Sequence, residues 1–285
     1  MTISRLGIVG SGIMGSGIAE VAAKSGVEVI LRSRKQETAD AMVTALEKSL
    51  AKQVERGKLE EQAAKEISAR VSATDDLHAL HDCDLVLESV VEDLAVKKEL
   101  FTRLDDIVKP EGIIATNTST LPVVELAVST ERPDKVVGIH FFNPAPMMSL
   151  VEVIAPLTAS ADTVAAAKAF ATACGKDVVE VKDRAGFIVN ALLFPYLNNA
   201  VRMLEAGTAS RDDIDTAMKG GCNFPMGPLA LLDLVGLDTS LSILDALYAE
   251  FRDPNYAAMP LLRRMVAAGQ LGRKSGAGFY DYAKK

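Results

Sequence analysis

The chain has 285 residues, a length that suits two domains or one large one, and its 49% hydrophobic and 24% charged residues exclude a disordered or fibrous protein. With 31 basic and 38 acidic residues the formal charge is −7, so general affinity for nucleic acid or for an anionic membrane is not expected. Aromatic residues are only 5%, with no Trp to stack on bases, and the three scattered cysteines Cys83, Cys174 and Cys222 cannot complete a disulfide framework.

Met1 to Arg5 shows no signal-peptide layout and runs into Leu6 to Val9, which reads as a buried strand. Ile13 to Lys24 follows as a helix and Val27 to Leu31 as a second strand. A long polar helical stretch extends through Glu66, and Leu85 to Leu87 reads as another strand. Leu94 to Val108 is an amphipathic helix with Leu100, Leu104 and Ile107 on its apolar side. Strands are predicted at Ile113 to Thr116, Val136 to Ile139, Leu150 to Ile154 and Val178 to Val181. The Ala-rich helix Asp162 to Cys174 precedes the last of these and is closed by Gly175. Strands alternating with helices imply parallel pairing in a Rossmann-type doubly wound α/β sheet.

From Asp183 the pattern becomes helical: Ile188 to Ala206, ended by Gly207, then Asp212 to Lys219, Leu229 to Val235 and Thr239 to Phe251. The expected division is a dinucleotide-binding domain over residues 1–184 and an all-helical domain over 185–285. No apolar run reaches the ~18 residues of a membrane-spanning helix, so a soluble chain with reduced thiols in the cytoplasm is expected.

Gly10-Ser11-Gly12-Ile13-Met14-Gly15 is G-x-G-x-x-G, placed between a predicted strand and a predicted helix, the context in which this motif binds a dinucleotide. Gly10 turns the chain, Gly12 lets the backbone approach a pyrophosphate, and Gly15 lets the helix pack on the strand; the N–H groups at the helix start, around Ile13 and Met14, face the anion. An NAD site usually carries an Asp or Glu about 20 residues on, to hold the ribose 2′-hydroxyl. Here that place holds Ser33, within Leu31-Arg32-Ser33-Arg34-Lys35. A serine flanked by Arg34 and other cations accepts a 2′-phosphate that a carboxylate would repel, so NADP is expected, with NAD as the alternative if the cations are only a solvated loop.

His78, His81 and Cys83 could be imagined as metal ligands, but no fourth ligand is apparent and a polar helix terminus is the simpler reading, so no metal is expected. His140 ends the apolar strand Val136 to Ile139 and enters Phe141-Phe142-Asn143-Pro144, at the carboxyl end of a strand where α/β sheets bind ligands. Glu152 is a charge inside the apolar strand Leu150 to Ile154 and needs a partner if buried. A His–Glu pair would serve as general acid/base; an unrelated structural His and edge-strand Glu is equally consistent with the spacing.

Gly10 to Gly15, Glu88 to Asp93, Asn117-Thr118-Ser119, His140 to Pro144, Leu150 to Val153, Gly186-Phe187-Ile188-Val189-Asn190, Pro225 to Pro228 and Gly272 to Gly276 occur in this order. Together they resemble the 3-hydroxyacyl-CoA dehydrogenase family, in particular its short bacterial 3-hydroxybutyryl-CoA branch, over essentially the whole chain. The resemblance implies an oxidoreductase interconverting acetoacetyl-CoA, a short-chain 3-oxoacyl-CoA, and (S)-3-hydroxybutyryl-CoA by hydride transfer. It makes His140 the acid/base held by Glu152, and puts Ser119 and Asn190 on the substrate oxygens. It also places Glu92, Lys97, Asn143 and Ser119 near the nicotinamide half of the cofactor. In the family the region of Lys52 and Arg56, four apart on one helix face, reaches towards coenzyme A phosphates, a plain solvated surface being an equal reading of these two residues, and Lys274 is a weaker candidate for contact with the cofactor or acyl-CoA tail. Ser33 departs from the family's acid, and Ala191 stands where relatives often carry Arg. Apolar faces at Leu229 to Val235 and Leu241 to Leu247, with the family's habit of pairing through this domain, imply a homodimer. A dehydrogenase of free hydroxy or sugar acids, and a non-catalytic dinucleotide-binding protein, are the competing readings on the same scaffold.

Overall fold

Short apolar runs buried on both faces build the first of two units in the computed structural model, which describes residues 1–283 and divides after Asp183. Strand β1 (Arg5–Val9) leads through the glycine turn into α1 (Ile13–Lys24), and β2 (Glu28–Arg32) into α2 (Gln36–Glu55) and α3 (Glu61–Ala69). Then come β3 (Val71–Thr74), β4 (Leu85–Glu88), α4 (Leu94–Ile107), β5 (Ile113–Thr116) and the short α5 (Val123–Ala127). β6 (Val136–Phe141), β7 (Leu150–Ala155), α6 (Ala161–Ala173) and β8 (Asp177–Lys182) complete the unit.

The eight strands form one sheet in the order β3-β2-β1-β4-β5-β6-β7-β8. The chain winds one way from β1 and the other way from β4, so a switch point lies between these two strands, where α/β sheets open a ligand crevice. Every neighbouring pair is parallel except β6 with β7, which run antiparallel with His140 opposite Glu152. The sheet is thus the mostly parallel one expected, with a single antiparallel step. Leu6, Ile8, Leu31, Leu85 and Leu87 pack with Ile18, Ala19 and Ala22 of α1 and with Met42 and Leu46 of α2 in the main core. Helix starts are capped as their sequences suggest: Asp93 accepts from Val96 N–H at the start of α4, and Ser160 from Thr163 N–H at the start of α6.

Two other features differ from the sequence reading. The polar stretch through Glu66 is two helices, turned at Gly57 with φ +65°, and it is followed by edge strand β3, in which only Val71 is buried. The His78–His81 region forms a 3-10 turn, Leu77–Leu80, whose N-cap Asp76 accepts from His78 N–H; the helix terminus expected there is a cap of this turn.

The second unit, from Arg184 onward, is helical: α7 (Val189–Glu205), α8 (Arg211–Cys222), α9 (Pro228–Val235), α10 (Leu237–Phe251) and α11 (Pro260–Ala267). Phe194, Leu197, Leu229, Leu232, Leu237, Leu244, Leu247 and Leu262 form its core. Most of the apolar faces expected to seek a partner are thus covered within the unit itself, while Leu192, Met203, Phe224 and Leu234 remain exposed. Two buried carboxylates brace this unit. Asp215 accepts from Leu229 and Ala230 N–H at the start of α9 and from Tyr280 O–H, and Asp233 accepts from Phe279 and Tyr280 N–H and Tyr282 O–H. Among the described residues no helix is long and apolar enough to cross a membrane.

Candidate active site

The glycine turn is shaped by contact on two sides and left open on the third. At Gly10, φ is +139° and a Cβ would lie 2.1 Å from the Ser89 carbonyl oxygen, so only glycine fits between β1 and β4. Its N–H donates to the Arg32 carbonyl, which sets the turn beside the end of β2. At Gly15 a Cβ would meet the Gly10 carbonyl at 2.7 Å and the Met42 methyl at 2.9 Å, so a larger residue would lift α1 off the strand. Gly12 behaves differently: it is the N-cap of α1, and a Cβ there would meet nothing within 4 Å. No side chain caps α1, so the N–H groups of Ile13 and Met14 open on the same space as Gly12. Glycine at a position with room for a side chain, beside unsatisfied helix donors, fits a pyrophosphate approaching the backbone.

Ser33 follows directly on β2; it is buried and its N–H donates to the Thr74 carbonyl, whereas Arg34 is exposed. The Arg32 guanidinium is pushed below its ordinary value by burial and then by Arg103, with Arg34 adding to the effect and Asp75 and Asp76 opposing it. In the sequence Ser33 is flanked by Arg32, Arg34 and Lys35 and by no acid.

Across the switch point, on the β4 and β5 side, a continuous polar chain runs from the buried Glu88 and Lys97 to the exposed Glu92. The Lys97 ammonium is 2.7 and 2.8 Å from the two Glu88 oxygens and 3.1 Å from Glu92 Oε2. Thr118 and Ser119 donate in turn to Glu92 Oε1, at 2.5 Å from the Thr118 hydroxyl and 3.0 Å from Ser119 N–H. Burial alone would raise the Glu92 carboxyl, but the Lys97 charge and these hydrogen bonds prevail and hold it below the usual carboxylate range. The side chain of Lys97 is 1% exposed and that of Glu92 38% exposed, so Glu92 is the member that meets the open crevice.

His140 is buried at the end of β6, its Nδ1 2.8 Å from Oε2 of the fully buried Glu152. A carboxylate only accepts, so Nδ1 carries the proton of this bond and Nε2 is the ring's other nitrogen. Burying an isolated carboxylate costs several kcal/mol, which a charge-assisted bond of this length offsets. The Phe142 ring lies 4.5 Å from the imidazole, tilted by 53°. Asn117, after β5, accepts from Phe141 N–H at 2.9 Å and so ties the Ser119 loop to the residue next to His140. The loop after His140 holds exposed Asn143, whose peptide bond to Pro144 is cis, and Lys176 pins it by donating to the Ala145 and Met148 carbonyls. That loop rests on α1, where a Cβ at Gly17 would stand 3.3 Å from Pro146 Cδ.

The first unit thus brings together Gly10, Gly12, Ile13, Met14, Gly15, Ser33, Glu92, Lys97, Ser119, Asn143, His140 and Glu152 along one edge of the sheet. Lys52 and Arg56 are exposed at the end of α2, and the structure adds no contact that gives them a ligand role. Asn190 is buried in the first turn of α7, and Lys274 is paired with Asp238 at 2.6 Å, both within the second unit. Glu88, Thr116 and Asn117 were not singled out as site residues from the sequence, although Glu88, a charge closing an apolar strand, carries a signal close to that of Glu152, a charge inside one. Among the described residues no group of His, Cys, Asp and Glu could hold a metal ion.

Residues 5–184 match the family described as 3-hydroxyacyl-CoA dehydrogenase, NAD binding domain, and residues 186–282 match its C-terminal domain. The chain is 49% identical over 286 residues to a 3-hydroxybutyryl-CoA dehydrogenase of Mycobacterium tuberculosis, covering 98% of this chain and 99% of that protein. It is 42% identical to the mitochondrial hydroxyacyl-coenzyme A dehydrogenase of Sus scrofa, covering 98% and 91%. Among solved structures it is similar to the (S)-3-hydroxybutyryl-CoA dehydrogenase of Ralstonia eutropha, with TM-score 0.97, 42% identity and coverage of 99% and 100%.

Proposed function

The chain belongs to the 3-hydroxyacyl-CoA dehydrogenase family of nicotinamide-dependent oxidoreductases, and from that premise we propose that it interconverts acetoacetyl-CoA and (S)-3-hydroxybutyryl-CoA, favouring NADP(H). The observation that carries the reading is the buried His140–Glu152 pair, set on the same sheet edge as the glycine turn. When bound, the nicotinamide supplies or takes the hydride at C3 of the acyl group. His140 Nε2 takes the hydroxyl proton as the alcohol is oxidised and returns it as the ketone is reduced, while Glu152 fixes the ring and stabilises its charged form. Ser119, oriented by Glu92, hydrogen-bonds the reacting oxygen. The role of Asn190 on the substrate oxygens, and those of Lys52, Arg56 and Lys274 on phosphates, rest on the family resemblance.

Preference for NADP(H) is supported by Ser33 in place of an acid and by the cations around it. The short acyl chain is supported by the names of the bacterial relatives. The assay is a panel of CoA thioesters and free acetoacetate with each reduced nicotinamide. Acetoacetyl-CoA with NADPH is expected to give the highest kcat/KM; a better rate with free acetoacetate, or none with any thioester, overturns the reading. The same proposal includes a homodimer built through the exposed apolar side chains of the helical unit, and a cytoplasmic location. Light scattering is expected to give twice the chain mass, and a monomer would count against pairing.

A further inference from the structure

Glu88 sits at the end of β4 with no exposed surface, and three donors make four hydrogen bonds to its carboxylate. Oε1 accepts from Val90 N–H at 2.5 Å and from Lys97 at 2.7 Å; Oε2 accepts from Lys97 at 2.8 Å and from the Thr116 hydroxyl at 2.8 Å. Lys97 in turn reaches Glu92, and Glu92 reaches Thr118 and Ser119. A buried lysine facing one half-exposed carboxylate would be a poor anchor, because its long side chain has many rotamers. With Glu88 behind it, the ammonium has three fixed acceptor oxygens and one position.

We propose that Glu88 is a positioning residue for the cofactor: by fixing Lys97 it holds Glu92 and the Ser119 loop in the arrangement that receives the nicotinamide half. The inference rests on the dinucleotide reading above and deepens it. Glu88 is fully enclosed, so it acts only through its neighbours. Its strands also say which half of the ligand it governs. β1 and β2, with the glycine turn and Ser33, lie on one side of the switch point; β4 and β5, with Glu88 and Thr116, lie on the other, next to β6 and His140. A change at Glu88 should therefore be felt by the half of the dinucleotide that carries the reacting ring and not by the adenosine half.

Glu88→Gln places an amide N–H₂ among three donors, so it cannot reproduce the native bonds, and Lys97 keeps only Glu92 as a charged partner. Thr116→Val is the milder variant, which keeps the charge and removes one donor to Oε2 together with the acceptor of Thr118 N–H in the same network. The probes are NADPH, titrated by its own fluorescence, and 2′-phospho-ADP-ribose, which lacks the nicotinamide, titrated by calorimetry. For Glu88→Gln the NADPH dissociation constant is expected to rise about tenfold or more while that of 2′-phospho-ADP-ribose stays within about twofold. Thr116→Val is expected to shift the NADPH value about threefold in the same selective sense. Equal losses for both ligands would mean general loosening of the fold and overturn the proposal, as would an unchanged NADPH constant. Should Glu88→Gln fail to fold, Thr116→Val decides alone by the same criterion. If the native protein binds neither ligand, nor NADH and ADP-ribose in a parallel titration, the dinucleotide reading itself falls, and the inference with it.

Discussion

His140 and Glu152 face each other across the antiparallel strands β6 and β7, Nδ1 to Oε2, at 2.8 Å. Side chains alternate between sheet faces, so a one-residue slip of β7 would send Glu152 to the opposite face. Gly138, two residues earlier, faces Ile154 so closely that a Cβ would lie 2.8 Å from the Ile154 Cβ. A side chain at that position would force the two strands apart.

From this pair, His140→Gln is expected to lower kcat by about 10²-fold or more, the usual scale for a general acid/base, with an unchanged melting curve. Glu152→Gln keeps an acceptor but loses the charge that stabilises the imidazolium, so its loss should be smaller, about tenfold. Steady-state kinetics with acetoacetyl-CoA measure both. Near-normal turnover in His140→Gln removes the histidine from the reaction.

Gly10→Ala and Gly12→Ala should fail in different ways. The first drives a methyl into the Ser89 carbonyl and forces a side chain to φ +139°, so it should unfold several degrees below the native chain. The second meets no atom within 4 Å and has φ −80°, so its melting temperature should hold, while dinucleotide affinity falls about tenfold as the methyl obstructs the pyrophosphate. Thermal melts and a nucleotide titration on the two variants separate the effects. Equal affinity in Gly12→Ala would dissociate the turn from phosphate binding.

Replacing Ser33 with Asp restores the missing acid. The ratio of kcat/KM for NADPH over NADH is expected to fall by about tenfold or more, equivalent to ~1.4 kcal/mol. A native enzyme that already prefers NADH would refute the assignment of Ser33 and Arg34 to a 2′-phosphate.

Asp84 predicts a pH limit on stability. Burial would raise this carboxyl, but hydrogen bonds from Lys109, from Ser4 N–H and hydroxyl, and from Arg5 N–H prevail and hold it at about 2, against an ordinary 3.8. Its side chain is 13% exposed, so solvent screens the effect only modestly. A folded value below the unfolded one stabilises the protein above the ordinary value and loses that contribution as pH falls from about 4 towards 2; the amount is ~2 kcal/mol. Urea midpoints should drop over that window in the native chain, and less steeply in Asp84→Asn. Parallel curves for the two proteins would exclude Asp84 as the source.

The strand–helix alternation was legible because strands buried on both faces read as unbroken apolar runs, and the glycine motif because its turn admits no other residue at Gly10. The pairing of Glu152 with His140 could be suspected from a charge in an apolar strand. The direction of β7 was missed, although Phe142 to Ser149 is shorter than the dozen or so residues that a parallel crossover needs. β3 escaped notice because an edge strand with one buried side chain carries almost no periodic signal, and α5 because it is too short to show one. Lys97 was placed near the nicotinamide half by the resemblance alone; its burial depends on Glu88, which Thr116 holds from the neighbouring strand.

The antiparallel turn-back of β6 into β7 has a consequence for how this chemistry can travel. Residues 136–155 carry the imidazole, its carboxylate and the loop between them as one continuous hairpin, whereas the glycine turn and Ser33, proposed to hold the dinucleotide's phosphates, precede them in the chain. Exchanging that single stretch between two homologues would transplant proton handling as a cassette and leave the recipient's nucleotide preference where it was.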